Sequence, residues 1–197
     1  MSRWQAACGV LAPASFVSAW VVCGALRDGY DPVEQAISQL ARVGTPDRAG
    51  MTAGFVGFGL LLPVFARSLP SVLSAGPALR RTATVAGVST LLVAALPLQR
   101  EAGGTGDALH AAAAGIGYLA MAASPALAVR PLWGEGRRSA AVTSAAVSAV
   151  SAGALVASLT TGPTGLWQRV GLGVVDAWFA AVAVWALLHP NRRSNRR

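Results

Sequence analysis

The stretch GLWQRVGLGVVDAWFAAVAVWALLH, from Gly165 to His189, decides the fold. As a helix it is long enough to cross about 30 Å of hydrocarbon. Asp176 stands near its middle, and no other acidic residue lies inside an apolar run of the chain. A carboxylate at bilayer depth costs about 2.5–3.5 kcal/mol on insertion scales, so it is expected to face a bundle interior, a partner or a wet cavity. Arg169 lies two helical turns earlier, about 10 Å along the axis and on nearly the same face. One reading makes the two an internal ion pair that fixes this helix in a bundle. The other makes them a site, with Arg169 meeting an anionic head group and Asp176 accepting a proton or cation. Either way Asp176 is expected to contact Arg169, His110 or a polar residue of another span.

Working outward, five more apolar blocks precede this one. They are Gln5–Leu26, Gly50–Leu69, Thr82–Leu98, Ala108–Val129 and Ser139–Leu159, with Leu166–Leu188 the sixth. Of 197 residues, 54% are hydrophobic and 12% charged. That is about half the charged share of a soluble domain. Mean hydropathy is +0.52. The expectation is an all-α, polytopic membrane protein: one bundle of six transmembrane helices over residues 1–190, then a basic tail at 191–197. The first run, from about Trp4 to Leu26, exceeds a signal-peptide core and reads as a retained span. Cys8 and Cys23 both fall in it, about 22 Å apart on a helix, too far for a disulfide.

All sixteen basic residues are arginine. Arg3, Arg67, Arg80, Arg81, Arg130, Arg137, Arg138, Arg192, Arg193, Arg196 and Arg197 would lie on one side of the membrane. Arg27, Arg42, Arg48, Arg100 and Arg169 would lie on the other. The positive-inside rule then puts both termini in the cytoplasm, and the expected location is the plasma membrane. Nucleic acid is not an expected partner, because the arginines are scattered at span ends and not gathered on a soluble face with aromatic platforms. Membrane lipids are. Six of the eight acids fall in the opposite, outer loops.

The first outer loop is the longest. Asp31 can cap a helix, Pro32 suits its first position, and Glu34 completes a capping box. Val33, Ala36, Ile37 and Leu40 recur at helical spacing, and Gly44 offers a stop. The pattern predicts a short amphipathic helix over the bundle mouth or on the membrane surface. Gly50 and Gly54 form a GxxxG pair, and Ser144, Ser148 and Ser151 share a face of the fifth span. Both features let helices approach closely.

With this topology Asp31, Ser38, Arg100, Glu101, Asp107, His110, Gln168 and Arg169 lie at or near the outer mouth, with Asp176 deeper. Together they predict an outward polar pocket for a lipid head group or a small amphiphilic ligand, or an element of a transporter. A rival reading is a membrane-embedded lipid hydrolase. Asp107 and His110, three apart on one helix face, would be orienter and base, with Ser38 as nucleophile. No nucleophile elbow accompanies them. A third reading is an accessory subunit whose buried charges are all paired. No cofactor or metal is expected: the only histidines are His110 and His189, at opposite ends, and neither zinc nor haem spacing occurs.

Several motifs then line up in order. Asp31-Pro32 is followed by Ala36-Ile37-Ser38-Gln39-Leu40 and Gly44-Thr45-Pro46, directly before a Gly-rich span. Span four opens with Asp107-Ala108-Leu109-His110, and span six with Gly165-Leu166-Trp167-Gln168-Arg169, with Trp178 later. This order resembles the bacterial six-helix membrane family known as domain-of-unknown-function 998, over nearly the whole chain. In that family the position before the span-six arginine is commonly glutamate; here it is Gln168, which weakens any acid–base role there. The family carries no agreed activity, so the resemblance implies fold and topology, not a reaction.

Overall fold

The first helix begins where a capping box places it. The Ser2 hydroxyl accepts from the Gln5 amide at 3.2 Å, and the Gln5 side chain accepts from the Ser2 amide at 3.0 Å. This computed structural model describes residues 2–189. The expected basic tail, with Arg192, Arg193, Arg196 and Arg197, lies outside the described residues.

Seven α-helices follow one another: α1 (Arg3–Leu26), α2 (Arg48–Ala66), the single turn α3 (Leu69–Val72), α4 (Pro77–Ala95), α5 (Thr105–Gly134), α6 (Arg138–Thr160) and α7 (Thr164–Leu188). Among the described residues there is no strand. Helix α1 packs on α2, α2 on α4, α4 on α5, α5 on α6, α6 on α7, and α7 back on α1, so the six long helices close a ring. Helices α5 and α7 also touch across it.

Among the described residues five helices are long and apolar enough to cross a membrane: α1, α2, α5, α6 and α7. This is the architecture of a multi-pass membrane protein. The helix of the third block, α4, is not among the five. It spans Pro77–Ala95 and not the expected Thr82–Leu98, and its first turns carry Arg80 and Arg81 beside Thr82 and Thr84. Large apolar side chains are exposed all around the ring, among them Leu26, Leu60, Leu92, Leu119 and Leu159. Water does not tolerate such a surface; acyl chains do.

Inside, aromatic rings and small residues divide the work. Phe65 of α2 meets Phe179 of α7 edge to face at 6.4 Å, and Phe16 of α1 stacks on Phe55 of α2 at 5.8 Å. Where backbones come closest, glycine is required. A Cβ at Gly54 would strike Ala19 of α1. One at Gly87 would lie 2.6 Å from Pro63, and one at Gly59 would lie 2.9 Å from the Gly87 carbonyl. The serine face of α6 is divided: Ser144 accepts from Trp178 Nε1 of α7 at 3.0 Å, while Ser148 donates to the Ala122 carbonyl of α5 at 2.7 Å.

The amphipathic helix expected after Asp31 does not form. The cap does: Asp31 Oδ1 accepts from the Val33 and Glu34 amides at 2.8 and 3.3 Å. A single turn follows the cap, no helix grows from it, and a 3-10 turn, Ile37–Ala41, comes next. The cause is tertiary. The carbonyls of Pro32, Val33 and Gln35, which a continuing helix would give to its own amides, accept from Arg169 and Leu166 of α7. Ile37, Leu40 and Ala41 of the turn are buried, and Gly44 closes the segment at φ +90°.

Overfilling the α2–α4 contact tests this packing. Gly87→Leu should lower stability in detergent by about 1–3 kcal/mol. Gly153→Leu, with nothing within 4 Å of its Cβ, should change it by no more than about 0.5 kcal/mol. Equal thermal midpoints for the two variants would contradict the ring.

Candidate functional site

At the end of the bundle where α5 and α7 begin, a cavity of about 90 Å³ lies between the helices. Its floor is apolar, from Phe16, Phe55, Phe58, Val93, Met121 and Leu172. Its polar wall comes from Ser38, Ser89, Thr90, His110, Tyr118 and Gln168. On α5 the lining follows one face: His110, Ala114, Gly117 and Met121 are spaced by four, three and four residues. The small residues on that face leave the room. A Cβ at Gly117 would already come within 3.1 Å of Ser89 Cβ.

The roof is the 3-10 turn, and Arg169 holds it. Its Nη1 donates to the carbonyls of Pro32 at 2.7 Å, Gln35 at 3.2 Å and Gly165 at 2.9 Å. Its Nη2 donates to the Tyr30 hydroxyl at 2.6 Å. The guanidinium carbon lies 5.2 Å from the Trp20 ring centre and 5.5 Å from that of Tyr30. Gln168 adds a stitch, accepting from the Ile37 amide at 3.1 Å, and the Leu166 amide donates to the Val33 carbonyl at 2.8 Å.

His110 is 3% exposed. Its Nδ1 lies 2.6 Å from the Leu96 carbonyl, and its Nε2 is buried with no hydrogen-bond partner among the described residues. Asp107 does not orient it. Both Asp107 oxygens serve the loop before α5, accepting from the Gln99 amide at 2.8 Å and the Gly103 amide at 2.9 Å. Spacing alone put the two on one face; the loop took the acid.

The other expected residues separate. Asp31 caps its turn and is exposed. Arg100 is exposed and lies over Gly44, where a Cβ would stand 2.8 Å from its Nη2. Asp176 and Arg169 do not pair, because the guanidinium is taken up by the loop. Asp176 follows Leu172 by one turn on the same face and is 2% exposed. Both its oxygens lack a hydrogen-bond partner among the described residues, so the expected contact with Arg169, His110 or another span's polar group is not made. The sequence reading missed the apolar floor and Tyr30. Aromatics within apolar runs read as core, but the small-residue stripe that starts at His110 is a signal that could have found the cavity.

Two substitutions separate these roles. Arg169→Leu removes several charge-assisted hydrogen bonds, each worth about 1.5–3 kcal/mol. Amide exchange at Val33–Ala41 should rise on the order of tenfold to a hundredfold, and unchanged protection would show that the roof holds itself. Asp176→Leu removes a buried polar group without breaking a bond, so stability should rise by about 1–3 kcal/mol. A lowered thermal midpoint would show that the carboxyl supports the bundle.

One comparison with known proteins bears on this arrangement. The family model described as "Protein of unknown function (DUF998)" matches residues 10–185. Neither the curated proteins nor the solved structures give a match. The match runs from within α1 nearly to the end of α7 and includes every residue lining the cavity, so the chain belongs to the DUF998 family.

Proposed function

We propose that this is a six-span protein of a bacterial plasma membrane, with both ends cytoplasmic, whose cavity faces outward and binds a lipid or small amphiphile. Helix α4 is the sixth span in this reading. It has 19 residues, like α2, and completes the ring between α2 and α5. Arg80 and Arg81 sit at its end, where long side chains reach the interface. The arginine-rich loop ends favour the orientation.

The observation that carries binding is the cavity's two-sided lining. An apolar floor beside convergent polar groups is the composition of a small-molecule site. Its volume, about 90 Å³, suits the head end of a larger molecule whose chain lies elsewhere. The hydrolase reading is less favoured, since Asp107 is occupied by backbone amides. The accessory reading expects each buried charge to be paired, and Asp176 is not. We assign Asp31, Arg100 and Asp107 to the loops that frame the mouth, Arg169 to the roof, and Ser38, His110 and Gln168 to the ligand. Asp176 lies deeper than the head group reaches.

Purification in mild detergent tests the proposal. Native mass spectrometry of the wild type should show a retained small molecule, and Ala114→Phe, which fills the cavity from α5, should lose it while remaining folded. Equal retention by both would place the molecule elsewhere. None in the wild type would sink the reading.

A further inference from the structure

We infer that the head group this cavity takes is neutral and donates a hydrogen bond, as the hydroxyl of a long-chain alcohol does, and is not a phosphate or carboxylate. The inference rests on the binding reading above and names its ligand class.

The argument is an inventory of hydrogens. A backbone carbonyl can only accept, so the His110 Nδ1 that lies 2.6 Å from the Leu96 oxygen carries the proton. In the neutral ring the other nitrogen, Nε2, is then a bare acceptor, and it is buried without a partner among the described residues. Two neighbouring hydroxyls have spent their hydrogens as well. Tyr118 donates to the Trp167 carbonyl at 3.3 Å, and Thr90 donates to the Ala86 carbonyl at 2.9 Å. Each offers only oxygen lone pairs to the cavity, while the Ser38 and Ser89 hydroxyls, which make no side-chain hydrogen bond among the described residues, keep their hydrogens. Gln168 accepts from Ile37 through Oε1, which leaves its amide hydrogens as donors. A hydroxyl answers this set: it donates to Nε2 and accepts from Gln168.

An anion does not answer it. Among the described residues no arginine lines the cavity. The chain has no lysine. The guanidinium that holds the roof, Arg169, has Nη1 and Nη2 committed to three carbonyls and the Tyr30 hydroxyl, and only its buried Nε is without a partner among the described residues. A phosphate here would meet no fixed cation, and only protonation of the buried His110 ring would counter its charge. An ether or ester head group brings no hydrogen and leaves Nε2 unpaired.

Three probes of one chain length test this: 1-decanol, decyl methyl ether and decyl phosphate. Each is titrated by thermal shift against the detergent-purified full chain as wild type, Ala114→Phe and His110→Phe. In the wild type the alcohol should bind about tenfold or more tightly than the ether, the difference one hydrogen bond makes, with the phosphate weaker than the alcohol. His110→Phe should bring alcohol and ether together. Ala114→Phe should abolish the response to all three. If the phosphate binds tightest, or the ether matches the alcohol, while Ala114→Phe still blocks binding, this inference falls and the binding reading stands. If no probe gives a response that Ala114→Phe removes, both fall. The wild-type ranking decides the matter even where His110→Phe does not fold.

Discussion

A single guanidinium settles how irregular backbone survives at the end of this bundle. A carbonyl outside a helix must find its donor in water or elsewhere in the protein. The segment from Tyr30 to Ala41 has several such carbonyls, and Arg169 reaches two of them while also binding its own helix at Gly165. Arginine suits the position because five N–H groups in a planar fork serve several acceptors at once and its face stacks on Trp20 and Tyr30. Gly165 is required by the same contact. A Cβ there would collide with the carbonyls of Gln35 and Pro32. From this clasp follow the 3-10 turn, the roof over the cavity, and the positions of Ser38 and Gln168 in its wall.

What the sequence made legible is what local spacing controls. Apolar runs marked the long helices, Asp31 marked a cap, Gly44 a stop, and Gly50 with Gly54 a close approach to α1. What it concealed depends on partners far along the chain. The turn after Asp31 has helical spacing, yet its carbonyls are captured by residues of α7 more than 130 positions away. Asp107 and His110 lie on one helix face, yet the acid turns to the preceding loop and the imidazole to Leu96. Helix α4 began at Pro77, earlier than its apolar run, because proline suits a helix's first position and the two arginines can lie in its opening turns.

The polar groups of this bundle divide by depth. Near the loops they are joined: Arg42 donates through Nη1 to the Gln99 carbonyl, Val43 donates to the Leu98 carbonyl, and Asp107 gathers the amides of Gln99 and Gly103. This network ties the first loop to the start of α5, as Arg169 ties it to α7. Several charges at this end of the bundle therefore satisfy backbone. Sequence alone presents Asp31, Arg100, Asp107 and Arg169 as candidate contacts for a ligand; of these Asp31, Asp107 and Arg169 hydrogen-bond backbone groups, and Arg100 is exposed.

Deeper in the bundle the same accounting gives a different balance. Span hydroxyls mostly return their hydrogens to their own helix: Ser15 to Ala12, Thr84 to Arg80, Ser124 to Ala120, Ser158 to Leu155. Each then shows its neighbours an acceptor. Where a donor is nearby the match is made, as with Trp178 Nε1 on Ser144, whose own hydrogen goes to Ala140. Where none is, groups of both kinds are left over among the described residues: His110 Nε2 and the oxygens of Asp176 as acceptors, Trp167 Nε1 and Arg169 Nε as donors. The match therefore fails locally, by where each group sits in the bundle. At His110 the missing partner is a donor, which a molecule in the cavity would have to bring.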